Sequence, residues 1–187
     1  QPAMRGGSAV LLNDDQRLAV CLGVLRSFAI VSGGPGTGKT SIVLALPRCL
    51  VRCGIQADQI RLAAPTGRAA QRLTDALVSG LESLAAPLSP EDESLLQVAG
   101  HTIHHLLRYS PSLNSFTFGP NHHLPARVVI VDEVSMVDVN TMASLLEALA
   151  PTTRVVFLGD KDQLPSVDAG AVLADLIPGD AVAAFSP

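Results

Sequence analysis

The residues Gly33-Gly34-Pro35-Gly36-Thr37-Gly38-Lys39-Thr40 have the spacing of a phosphate-binding loop, with Gly33, Gly38, Lys39 and Thr40 at its fixed positions. Glycines let backbone N–H groups turn inward around phosphate oxygens, and the N-terminus of a following helix adds a positive dipole end. The segment predicts a nucleoside triphosphate held by Gly34, Pro35, Gly36, Thr37, Gly38, Lys39, Thr40 and Ser41. Lys39 should reach the β- and γ-phosphates, and the Thr40 hydroxyl should ligate Mg²⁺. The alternative is a structural glycine turn. Against it, an apolar run precedes the loop and a helical pattern follows, the context a phosphate loop needs.

Asp132-Glu133 follows four apolar residues, Val128-Val129-Ile130-Val131. One carboxylate at such a strand end can join a Mg²⁺ shell and the next can take a proton from water, which assigns Asp132 to the metal and Glu133 to the base. Gln163 lies in Leu158-Gly159-Asp160-Lys161-Asp162-Gln163 after another apolar run, where an amide could sit near a γ-phosphate. Thr66 in Ala64-Pro65-Thr66-Gly67-Arg68 can cap a helix whose open end takes a nucleic-acid phosphate, and Arg68 and Arg72 share one face. A solvated cap is the simpler reading there. Thr102 and His104 could touch a sugar-phosphate or stack on a base. His101 and His104 lack the neighbouring carboxylate or cysteine that would complete a metal site, and His122-His123 read as exposed loop residues. Cys49 and Cys53, two of three cysteines, read as ordinary thiols of a reducing compartment.

Positioning these groups needs strands that end where the chemistry begins. Buried strands are predicted at 28–31, 60–64, 127–131 and 154–158. Helices are predicted at 13–26 with Asn13 as cap, 39–53 ended by Gly54, from Thr66 to about 84, from Pro90 onward, 102–108, 138–150 with Asp138 as cap, and 169–177. Residues 85–94 read as a surface connection, and 109–126 as a loop or small hairpin around Phe116 and Phe118. Short apolar strands alternating with helices imply an α/β fold with a parallel sheet covered on both faces, and ligands bind beyond the carboxyl ends of its strands. Residues 1–10 are expected to be a flexible leader, 11–178 the folded unit and 179–187 a tail.

Hydrophobic residues make up 48% of the 187 and charged residues 16%, a globular balance rather than a disordered one. The net charge of -4 excludes a broad polycation, so nucleic-acid contact must be local. No apolar run reaches the ~18 residues of a membrane span.

Taken in order, GGPGTGKT, LAAPTGRAA, TIHHLL, VDEVSM and LGDKDQLPSVDAGAVL resemble the RecD-type superfamily 1 DNA helicases over residues 13 to about 177. The resemblance implies a P-loop NTPase with a RecA-like sheet, ATP with Mg²⁺, and 5′-to-3′ translocation on single-stranded DNA. It implies that Gln16, in Asn13-Asp14-Asp15-Gln16, contacts adenine, that Thr66, Arg68, Thr102 and His104 face DNA, and that Gln163 couples the γ-phosphate to DNA. Val134-Ser135 departs mildly from the family's usual Ala-Ser. The pattern is most like the branch serving in exodeoxyribonuclease V, which implies RecB-like and RecC-like partners, recombinational repair and a cytoplasmic setting. A stand-alone helicase of this type, a P-loop kinase or metabolic ATPase, and a non-catalytic nucleotide-binding scaffold are the alternatives. The motifs of a second motor lobe do not follow, so this chain by itself is expected to bind ATP weakly and to unwind nothing.

Overall fold

The computed structural model describes residues 3–5, 8–10, 12–34, 36–84 and 87–160. The elements in chain order are β1 (Ala3–Arg5), β2 (Ser8–Val10), α1 (Asp14–Leu25), β3 (Phe28–Ser32), α2 (Lys39–Arg52), β4 (Ile60–Ala64), α3 (Gly67–Glu82) and α4 (Pro90–Ser94). They continue with β5 (Gly100–Thr102), α5 (Ile103–Leu106), β6 (Tyr109–Ser110), β7 (Ser115–Phe116), β8 (Val128–Val131), α6 (Val139–Glu147) and β9 (Arg154–Gly159). The central sheet is parallel, in the order β3-β9-β8-β4-β5. The expected helix at 169–177, the tail at 179–187 and Gln163 lie outside the described residues.

Strand alternation splits the core between the two faces. Ile60, Leu62, Val128, Ile130, Val156 and Leu158 point to the face covered by α1, α2 and α3. Ala63, Val129, Val131, Val155 and Phe157 point to the face covered by α5 and α6. All four residues of β8 are buried, so its sequence shows a continuous apolar run rather than an alternating one. In α3 the buried residues Ala69, Leu73, Leu77 and Leu81 recur every four positions, the stripe a helix needs to lie on a sheet.

The predicted caps form. The Asn13 side chain accepts from the Gln16 N–H while the Gln16 side chain accepts from the Asn13 N–H. Thr66, Ser89, Thr102 and Asp138 cap α3, α4, α5 and α6 through their side-chain oxygens. Two features differ from the sequence reading. The first ten residues, set aside as a leader, carry the antiparallel pair β1-β2. Residues 100–102 form a fifth parallel strand along β4, and helix α5 begins only after Thr102. Gly-His-Thr has no strand-like run to announce it. It is a strand because Gly100 lets the chain approach α3, where an added Cβ would lie 2.2 Å from the Ala70 carbonyl oxygen. The Gly100 N–H donates to Thr74 Oγ1 at 2.8 Å. The hairpin expected in 109–126 forms between β6 and β7 and includes Phe116, with Phe118 buried beyond it.

Candidate nucleotide site and the strand-end edge

Apart from Gln16 on α1, the predicted motifs in the described residues lie at or just beyond the carboxyl end of a sheet strand. The phosphate loop follows β3, Thr66 follows β4, Thr102 closes β5, Asp132-Glu133 follows β8 and Asp160 follows β9. Strand order sets their spacing. β9 lies between β3 and β8, so the loop and the carboxylates flank it, two strand spacings or ~10 Å apart. That gap suits a triphosphate with a cation.

The loop is held at both ends. Gly33 N–H donates to the Gly159 carbonyl at 3.1 Å, tying its start to the end of β9. Thr37 Oγ1 donates to the Gly34 carbonyl at 2.9 Å. Gly38 opens α2 in the left-handed region, φ 83°, with no side-chain cap on the helix N-terminus. The first N–H groups of α2 therefore remain available to an anion. Lys39 Nζ donates to the Gly33 carbonyl and, at 3.4 Å, to the Gly34 carbonyl, so the ammonium lies folded over the loop.

Gln16 reaches the same loop from α1. Its Nε2 donates to the Thr37 carbonyl at 2.9 Å while its Oε1 accepts from Asn13 N–H. One N–H and one lone pair of the amide are left over. The family resemblance implies that Gln16 contacts the base; its contact with the loop, 21 residues away, is a tertiary result.

Asp132 extends the sheet, its N–H donating to the Ala63 carbonyl at 2.9 Å. Its Oδ1 accepts from Glu133 N–H at 2.8 Å. Burial pushes the Asp132 carboxyl pKa up, while that hydrogen bond and the charges of Lys39 and Arg72 pull it back. Glu133 sits at φ 53° and begins a short 3₁₀ turn, Val134–Met136. Its Oε1 lies 3.5 Å from Arg72 Nη1. Ser135 Oγ is buried without a hydrogen-bond partner among the described residues, and the sequence had marked Ser135 only as part of the Val-Ser departure.

Thr66, Gly67 and Arg68 are exposed at the start of α3. Thr66 Oγ1 is occupied as a cap, accepting from Ala69 N–H at 3.2 Å. At the far edge His104 is exposed and lies against Tyr109 and Phe116, with ring centroids 5.4 and 5.6 Å away. His101 instead stacks on His105 at 4.8 Å. His101 and His104 therefore turn to different neighbours rather than to one ion. Burial lowers the His101 pKa, and His105 and Arg61 add to the effect. His122 is exposed and touches the Phe118 ring.

A parallel sheet with a phosphate loop after one strand and an Asp-Glu pair two strands away defines a P-loop nucleotide-binding domain. The AAA domain family matches residues 16–169, and the chain belongs to it. Within that class its sequence is RecD-like, homologous along most of its length to part of the RecD subunits. It is 42% identical over 171 residues to the RecBCD enzyme subunit RecD of Mycolicibacterium smegmatis, covering 89% of this chain and 30% of that protein. It is 39% identical over 149 residues to the ATP-dependent RecD2 DNA helicase of Deinococcus radiodurans, covering 79% of this chain and 17% of that one. The chain thus spans under a third of the length of these relatives. The fold matches the UvsW helicase from bacteriophage T4, with TM-score 0.62 and 15% identity over 85% of this chain and 56% of that one. A structure of Pif1 helicases at forked DNA also matches, with TM-score 0.56 and 22% identity over 91% of this chain and 39% of that one. No helix among the described residues is long and apolar enough to cross a membrane.

Proposed function

We propose that this chain is the ATP-binding lobe of a RecD-type motor that couples ATP hydrolysis to 5′-to-3′ movement on single-stranded DNA. The observation that carries the reading is the shared strand-end edge, where the phosphate loop after β3 and the half-buried Asp132 after β8 flank the intervening strand β9. Lys39 leaves the Gly33 and Gly34 carbonyls and turns to the β- and γ-phosphate oxygens. The loop's backbone N–H groups, of which Pro35 has none, and the open N-terminus of α2 cradle the phosphates. Gln16 keeps its bond to the Thr37 carbonyl and offers its spare N–H and lone pair to adenine.

A hard, all-oxygen donor set suits Mg²⁺, and the Thr40 hydroxyl and Asp132 carboxylate would supply it. Such an ion neutralises charge on the β- and γ-phosphate oxygens. Glu133 takes the proton of a water whose oxygen attacks the γ-phosphorus. The bond from that phosphorus to the β–γ bridging oxygen breaks, leaving ADP and inorganic phosphate. Gln163 reports the γ-phosphate to DNA held along Thr66, Arg68, Thr102 and His104.

The RecBCD-type relatives support a cytoplasmic role beside RecB-like and RecC-like subunits in recombinational repair of double-strand breaks. The RecD2 likeness favours a stand-alone helicase as the second reading, and co-purification with RecB-like and RecC-like chains separates the two. The test of the chemistry is single-stranded-DNA-stimulated ATP turnover in the full-length polypeptide. Lys39→Ala should lose nucleotide affinity and turnover, whereas Glu133→Gln should keep affinity and lose turnover by ~100-fold or more. Wild-type turnover in Lys39→Ala would overturn the reading. Brisk DNA-stimulated turnover by the 187-residue chain alone would overturn its assignment as one lobe of a two-lobe site.

A further inference from the structure

Arg72 joins two parts of the strand-end edge that the sequence keeps 61 residues apart. It sits on α3, the helix that Thr66 opens beyond β4, one turn after exposed Arg68. Its guanidinium meets Glu133 at 3.5 Å, with the Arg72 side chain 65% exposed and that of Glu133 29% exposed. The Glu133 backbone has little freedom. It is left-handed at φ 53°, its N–H is bonded to Asp132 Oδ1, and it leads directly into the 3₁₀ turn. What remains free is the side chain, and the charged partner it meets is Arg72. An ion pair this exposed biases its partners by only about 2- to 5-fold. A phosphodiester presents two oxygens in the geometry a guanidinium fork prefers, so it competes well for the same arginine.

We propose that Arg72 is a positioning residue, a latch on Glu133 that single-stranded DNA releases. Without DNA the guanidinium draws the carboxylate toward α3 and away from the attacking water. When a DNA phosphate engages the Arg68–Arg72 face, the guanidinium passes to that phosphate and Glu133 turns back toward the phosphate loop. The latch rests on the reading of Glu133 as the base and of the start of α3 as DNA-facing.

The experiment compares wild type, Arg72→Ala, Arg72→Lys and Glu133→Gln in the full-length polypeptide. ATP turnover is measured with no DNA and with saturating oligodeoxythymidine. Arg72→Ala should raise the DNA-free kcat about 2- to 5-fold, leave the KM for ATP unchanged and shrink the stimulation by DNA by the same factor. Arg72→Lys, which keeps the charge but loses the fork, should fall between the two. A DNA-free kcat in Arg72→Ala equal to or below wild type overturns the latch, whatever happens to DNA affinity. If Glu133→Gln turns over ATP normally, the base assignment itself is wrong. If Glu133→Gln is dead and Arg72→Ala shows no release, only the latch is wrong.

Discussion

Asp92 fastens the far end of the helix that begins at the phosphate loop, and removing its charge should destabilise the domain in a pH-dependent way. Its carboxylate is 4% exposed and accepts from Arg48 Nε and Nη2 at 3.0 and 3.1 Å and from Arg52 Nη1 and Nη2 at 2.8 and 2.7 Å. Both arginines lie on α2 and Asp92 on α4, so the pair closes a loop of 40 or more residues. Burial alone would push the Asp92 pKa up, but the hydrogen bonds and charges of Arg52 and Arg48 outweigh it and hold the carboxyl at about 2. Against an ordinary 3.8, that gap is worth about 2 kcal/mol at ~1.36 kcal/mol per pH unit. Breaking a buried ion pair costs about 3–5 kcal/mol, and Arg52, 43% exposed, can turn to water, so the lower end applies. Asp92→Asn should therefore cost about 2–3 kcal/mol near pH 6. The folded pKa lies below the unfolded one, so the contribution is complete above 3.8 and fades as pH falls toward about 2. Urea unfolding of wild type and variant from pH 6 to pH 2.5 should show a gap that shrinks to about 1 kcal/mol or less, while nucleotide affinity in the folded variant stays at the wild-type value. A gap that does not change with pH, or one below about 0.5 kcal/mol at pH 6, would refute the assigned role of the carboxylate.

Two further outcomes follow from local geometry. Gly38→Ala would put a Cβ at φ 83° and 2.1 Å from Gln16 Nε2, so it should cost about 1–3 kcal/mol and weaken nucleotide binding, read by thermal unfolding and by titration with a fluorescent ATP analogue. Asp138→Ala removes the acceptor for the Thr141 N–H at the start of α6 and should cost about 1 kcal/mol at neutral pH. The bond to Thr141 outweighs burial and lowers the Asp138 pKa, so that cost should persist above the ordinary carboxylate range and fade below it, measured by unfolding across pH 3–7.

Much of the site was legible in the sequence because its chemistry is local. A phosphate loop needs consecutive glycines, a lysine and a hydroxyl, and these are adjacent from Gly33 to Thr40. Asp132 and Glu133 are adjacent and follow a run whose uniform apolarity marks a strand buried on both faces. The helix caps were legible for the same reason, since a cap and the N–H it satisfies are three residues apart. The strand at 100–102 was not, because its place depends on a glycine meeting the Ala70 carbonyl of another element.

The sequence alone determined which candidate groups are adjacent and that the phosphate loop, Thr66 and Asp132-Glu133 each follow a strand, because period and spacing encode helices, strands and turns within a few residues. The tertiary structure alone decided the distances among those groups. Strand order puts β9 between the loop and the carboxylates. Packing brings Gln16 to Thr37, Arg48 and Arg52 to Asp92, and Arg72 to Glu133. Such contacts join residues 21 to 61 positions apart. They exist only once two faces of helices have closed on one sheet, because burial there, not local propensity, selects the partners.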